Sequence, residues 1–274
     1  MLALVNKLPG DFMPERDAYI GFPKGLLCDR PVRFQVLANE AGWFVLQKSR
    51  GVPGQVHPWY KNKADVTSSI RSQIVAGKGE LKRLGIGELF YICGPEPESS
   101  GPMLFAKNKA SADFLSNAFG SNLFRFTFWL IARSKTSESR LQCDLPLLGH
   151  LSEPRALVSH RQGKKATTHF HRLRCGSDFS LWEAKTYLPR YHQIRLHAHE
   201  VGLSIVGESL YGTENLEPML NQQWKGSSPS SFKGLALLLR SLDFGRVCKG
   251  FTAKTSKIPE AFSAFLKKSG LNQA

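Results

Sequence analysis

Short apolar runs punctuated by glycine and proline, with no repeating strand–helix rhythm, set the narrowest limit on what this chain can fold into. Strand patterns fall at residues 42–46, 89–93, 103–106 and 124–130, and again at 167–173, 179–187 and 203–206. Helical spacing falls at 64–74, 110–119 and 193–199, with two short helical patterns at 235–242 and 259–268. Without a βαβ alternation the expected class is α+β, built around a central mixed, largely antiparallel sheet. The chain has 274 residues, 42% of them hydrophobic, enough to bury a substantial core. Residues 1–35, rich in Pro, Gly and basic side chains, read as a basic N-terminal arm, and residues 36–274 as one domain. Residues 226–231 read as a surface loop.

No stretch approaches the roughly 18 consecutive apolar residues of a membrane span; the run 124–132 is broken by Arg125 and Thr127. The first sixteen residues reach Lys7, Pro9, Gly10 and Asp11 before a signal-like apolar region develops. Cys28, Cys93, Cys143, Cys175 and Cys248 are odd in number, dispersed and free of any C-x-x-C pair. The expectation is a monomeric protein of a reducing, cytoplasmic interior, with no membrane association. Lys and Arg number 37 against 22 Asp and Glu, a net charge of +15, which favours a polyanion through attraction and counterion release. RNA or DNA is the natural partner.

Seven of the eight histidines lie between His150 and His199, and His169 and His171 share a strand face by their spacing. With no H-E-x-x-H, no Cys pair and no evident acidic ligand, no metal site is expected. Ser99 and Ser100 precede Gly101 without a G-x-S-x-G frame, so a serine hydrolase is not indicated either.

The most specific segment is Pro189-Arg190-Tyr191-His192-Gln193-Ile194-Arg195-Leu196-His197, followed by Gly202-Leu203-Ser204-Ile205-Val206-Gly207-Glu208-Ser209-Leu210-Tyr211-Gly212. It resembles the G-R-x-H-Q-[IL]-R-x-H and G-x-P-I-x-G-D-x-x-Y-G signature of RluA-like RNA pseudouridine synthases. In this chain Pro189 stands for the first Gly, Ser204 for the Pro and Glu208 for the Asp. Other matches keep the family's order: residues 43–58 resemble its opening strand, K-P-x-G turn and H-P; residues 163–168 its G-K-x-A-x-T; residues 251–253 its late f-x-A-P segment. The resemblance covers roughly residues 40–265.

The resemblance implies a catalytic-domain fold with an RNA-binding cleft, and an isomerase that extrudes a uridine from structured ribosomal or transfer RNA and rejoins its base through C5. Neither metal nor organic cofactor is implied. The family's catalytic Asp lies in H-R-L-D-x-x-T-S-G-L-L-L-F-A-K, and here residues 93–107 align with it, so Glu96 takes the catalytic position. Cys93 and Gly94 replace the preceding His and Arg, and Phe128 stands where the family has a pocket Tyr. Arg195 matches the arginine expected to pair with the carboxylate and keep it ionised. Catalytic candidates are therefore Glu96 and Arg195; substrate-binding candidates are Phe128, His192, Gln193, Arg190 and Lys107. Lys48, Lys107, Lys164 and Lys165 are candidates for an RNA path. Two activities fit these departures: a synthase, attenuated by the displaced carboxylate, or a catalytically inactive RNA-binding factor that keeps the synthase fold.

Overall fold

A computed structural model describes residues 18–134, 136–212, 232, 234–248 and 250–271. Two antiparallel sheets are joined at one point and share a core. The first holds five strands: β1 (Tyr19–Phe22), β2 (Val32–Asn39), β3 (Trp43–Lys48), β4 (Phe90–Cys93) and β5 (Gly101–Ala106), in spatial order β1-β2-β3-β5-β4. The second is seven-stranded. It comprises β6 (Arg125–Arg133), β7 (Arg140–Cys143), β10 (Thr168–Cys175), β11 (Ser180–Thr186), β12 (Ser204–Ile205), β13 (Leu237–Asp243) and β14 (Thr252–Lys254). Its order is β14-β13-β6-β11-β10-β7, with β12 also paired to β6. A small hairpin joins β8 (Leu147–Gly149) to β9 (Ala156–Val158).

The long strand β6 is central because it is buried on both faces. Phe126, Phe128 and Leu130 turn one way and Thr127 and Trp129 the other, and apart from its ends only Trp129 is partly open to solvent. Helix α3 (Lys109–Gly120) begins where the Asn108 side chain accepts the N–H of Ser111 at 2.8 Å. Helix α1 (Val66–Val75) begins likewise, Asp65 accepting from Ser68 at 2.9 Å. The short α2 (Gly79–Arg83) follows α1, and both pack with Phe44, Leu46 and Phe105 on one face of the five-stranded sheet. Its other face, with Val45 and Leu104, joins the core of β6, β11, β13 and the C-terminal helix α5 (Glu260–Lys268).

The two sheets touch where β5 begins. Ser100 bridges to Leu238 in parallel, and the N–H of Leu239 donates to the Ser100 carbonyl at 2.9 Å. Gly101 has φ +144°, and a Cβ there would lie 2.4 Å from the Leu239 carbonyl oxygen, so only glycine permits this approach. The junction fixes the loop of residues 94–99, just before it, over the seven-stranded sheet; the Ser99 hydroxyl donates to Leu237 O at 3.1 Å.

Two expectations need correction. Residues 1–17 of the expected arm lie outside the described residues, but β1 and the start of β2 are strands within its remaining part, so the first strand precedes Trp43. The 235–242 run, expected to be helical, is strand β13, inserted between β6 and β14. A continuous apolar run carries no period to separate the two states, and pairing with β6 decides it. The 226–231 loop lies outside the described residues.

Candidate active site

Helix α4 (Gln193–Glu200) supplies one wall. His192, just before it, has φ +56°, a left-handed conformation uncommon for a residue with a side chain. That twist points its backbone N–H at Glu96, whose Oε1 accepts it. A carboxyl group at a helix N-terminus is favoured by the helix dipole as well as by this bond. The His192 ring is fully buried, with Nε2 3.0 Å from Arg195 Nη1 and Nδ1 2.8 Å from the Tyr211 hydroxyl. Because the guanidinium can only donate, Nε2 accepts and Nδ1 carries the proton. Burial, with Arg195 beside it, pushes His192 down to about 3, so the ring is neutral.

Arg195, 3% exposed, is one turn along the same helix face. Its Nε donates to Glu208 Oε2 at 2.7 Å and its Nη2 to Glu208 Oε1, a bidentate pair. Glu208 is fixed in turn by the N–H groups of Ser209 and Leu210, at 2.9 and 2.8 Å. Gly207 makes this turn possible: at φ +78°, a Cβ would fall 1.9 Å from Gly234 O. The expected pairing of Arg195 with Glu96 is therefore corrected. Glu208 meets the fork with both oxygens, while Glu96 turns to the His192 N–H. The next carboxylate from Arg195 is Glu98, its Oε2 3.9 Å from Nη1.

The loop of residues 94–99 supplies the other wall. It turns at Pro97, with the Ser99 N–H donating to Glu96 O at 3.1 Å. Lys48, at the end of β3, is fully buried beneath it and donates to Ser99 O at 2.7 Å, Val52 O at 2.9 Å and Ser49 O at 3.0 Å. Burial lowers the Lys48 ammonium to about 7 against the pull of Glu98 and Glu96. Burial likewise pushes Glu96 up to about 8, although Arg195 and the His192 N–H favour its ionised form. The Oε2 atoms of both Glu96 and Glu98 are buried without a hydrogen-bond partner.

Among the described residues, Glu96, Glu98 and His192 bring ligand-type atoms within 4.8 Å of one another, a grouping that could hold a metal ion. Both ring nitrogens of His192 are already engaged, and the Arg195 charge stands beside them. The arrangement is better suited to a carboxylate pair facing a guanidinium. Aromatic rings line the approach: His57 stacks on Tyr191 at 4.2 Å and 19°, and Trp59 packs on Tyr191 and on His192.

The remaining candidates divide. Gln193 is buried, its Nε2 shared among Thr167 O, Thr168 Oγ1 and Thr186 Oγ1 at 3.0 Å each, while its Oε1 accepts the Arg190 N–H at 2.8 Å. It pins α4 to β10 and β11. The half-buried Arg190 side chain lies beside Lys165. Phe128, 7% exposed, belongs to the main core. Lys107 lies apart from the site, its ammonium donating to Leu84 O at 2.7 Å, and Lys48 is a buried brace; neither is available to an RNA path, whereas Lys164 and Lys165 are exposed. Sequence reasoning missed Glu98 and Tyr60, whose hydroxyl donates to Glu98 Oε1 at 2.8 Å. The signal available was Glu98's place two residues after Glu96, across a proline turn. Of the clustered histidines, His169 and His171 are exposed and His197 is held by Thr168 and Leu145, so they form no group.

Residues 97–200 match the family model described as RNA pseudouridylate synthase, a match that starts one residue after Glu96. An uncharacterized RNA pseudouridine synthase of Zymomonas mobilis is 30% identical over 173 residues, covering 61% of this chain and 71% of that protein. The chain belongs to the RNA pseudouridine synthase family. It is RluA-like: ribosomal large subunit pseudouridine synthase D of the same organism is 25% identical over 186 residues, 66% of this chain and 56% of that one. Human RNA pseudouridylate synthase domain containing 4 shares the fold, with a TM-score of 0.68 over 87% of this chain and 94% of that one at 18% identity. Among the described residues no helix is long and apolar enough to cross a membrane.

Proposed function

We propose that this pseudouridine synthase-like protein converts a uridine of structured ribosomal or transfer RNA into pseudouridine, acting in the cytoplasm as a monomer. Glu96 is the essential carboxylate. One observation carries the reading: Glu96 is held at the N-terminus of α4 by the His192 N–H, with Arg195 on the adjoining turn and a second oxygen that no protein group engages. An extruded base entering between the two walls would meet that oxygen. The charge of +15 and the rings of His57, Trp59 and Tyr191 suit a phosphate backbone and unstacked bases. The names of the relatives favour ribosomal RNA: two are large-subunit ribosomal synthases, from Zymomonas mobilis and Borreliella burgdorferi.

The test combines binding with chemistry. Purified protein and structured transcripts of large-subunit ribosomal RNA and transfer RNA are assayed for pseudouridine by mass spectrometry, and for filter retention across a salt series. The reading expects pseudouridine in one transcript with wild type and none with Glu96→Ala, while both proteins bind RNA and release it steeply as salt rises. Salt-sensitive binding without product in any transcript would leave an inactive RNA-binding factor instead.

A further inference from the structure

We propose that Glu98 is a second catalytic carboxylate, the base that removes the proton from C5 of the target base while Glu96 serves at the glycosidic centre. This rests on the reading of the site as one that forms pseudouridine. Glu98 stands where the family signature specifies nothing, yet it is built into the site. The turn at Pro97 sends Glu96 and Glu98 to the same side of the loop, with carboxylate oxygens within 4.8 Å of each other. Tyr60 orients Glu98 through Oε1, and Lys48 holds the carbonyl that follows it. Its Oε2 is buried, unpartnered and 3.9 Å from Arg195. A buried carboxylate oxygen with no donor carries a desolvation cost that an incoming group can relieve. Two carboxyl groups in different surroundings are also suited to different roles. Burial raises Glu96 to about 8, and Glu98 faces the guanidinium that Glu96 does not bind.

The reaction supplies the need. The N1–C1′ bond breaks and C5 bonds to C1′, leaving C5 with its original hydrogen and a C6=N1 double bond. Glu98 takes that hydrogen as a proton, and the C5–H electrons re-form C5=C6. The C6=N1 pair returns to N1, which takes a proton from water, and Glu98 gives its own back to water. The product is an isomer of the substrate.

The experiment uses full-length protein and the same ribosomal and transfer RNA transcripts, made with uridine, [5-²H]uridine or 5-fluorouridine. Glu98→Gln is expected to slow pseudouridine formation on the order of a hundredfold and to acquire a primary isotope effect with [5-²H]uridine. With 5-fluorouridine, which has no C5 proton to lose, it should form the C-linked nucleoside at the wild-type rate. Tyr60→Phe, which leaves Glu98 in place but unoriented, should lower the uridine rate severalfold with RNA affinity unchanged. Equal slowing on uridine and 5-fluorouridine transcripts, or an unslowed Glu98→Gln, would overturn the role of Glu98 alone. A wild-type protein that forms no pseudouridine would overturn the underlying reading with it.

Discussion

The two walls of the site are held in different ways. On the α4 side, Arg195, His192, Glu208, Tyr211 and Gln193 bond to one another and to the backbone, so this wall is complete without a ligand. On the loop side, one buried ammonium braces residues 97–99 from below, and two carboxylate oxygens face inward without partners. The complete wall keeps the H-Q-I-R core of the family signature, with Glu208 for its Asp; the incomplete wall is where the catalytic Asp itself is replaced. Structure and chemistry thus separate: the residues that make α4 stable are those most recognisable in sequence, and the residues open to a substrate are not.

The largest expected effect comes from breaking the complete wall. Arg195→Met leaves Glu208 buried opposite an apolar side chain, and urea unfolding should show a loss of about 3–5 kcal/mol. A loss under about 1 kcal/mol would mean that the wall is not held by this ion pair. Next is the brace. Lys48→Met strands the Val52 and Ser99 carbonyls, each costing about 1–3 kcal/mol when buried unpaired. It should therefore destabilise by roughly 3 kcal/mol and also cut the turnover of the folded fraction, which a buffer of higher stability should not restore.

A third test reads pH. Burial raises Glu96 from 4.5 to about 8, so the folded protein keeps a proton that the unfolded chain releases above pH 4.5. The stability this contributes is fully present below pH 4.5 and is lost as pH rises through about 8. Lys48, lowered to about 7, adds the opposite slope only above that value. Between pH 4.5 and 7, unfolding titrations should show wild type losing stability relative to Glu96→Gln, whose amide does not titrate. Turnover that needs the Glu96 carboxylate should rise with pH toward 8. The smallest effect is expected from Tyr211→Phe, which removes one acceptor from the His192 Nδ1–H and the Ala156 N–H, at about 1 kcal/mol in the same unfolding assay.

What the sequence disclosed follows the same division. Helix α4 was legible because its apolar spacing coincides with a long signature, and the S-G and L-F-A-K neighbours set the register that puts Glu96 beside it. Strand β13 was not, because Leu235-Ala236-Leu237-Leu238-Leu239 is apolar throughout and has neither period. Strand β1 was hidden among Pro, Gly and Lys, and forms through pairing with β2. The partner of Arg195 was out of reach as well. Three glutamates, at 96, 98 and 208, compete for one guanidinium, and backbone N–H groups settle the contest. Lys48 reads as a surface cation in sequence, and only the stacking of loop carbonyls above it shows an interior role.

The central claim is that the incomplete wall is a working one. The most direct measurement is a map of pseudouridines across cellular RNA after deletion of the gene, with complementation by wild type, Glu96→Ala and Glu96→Asp. The account predicts that at least one site disappears on deletion, returns with wild type and with the Asp variant, and stays absent with the Ala variant. A map unchanged by deletion, or a site restored by Glu96→Ala, would contradict it.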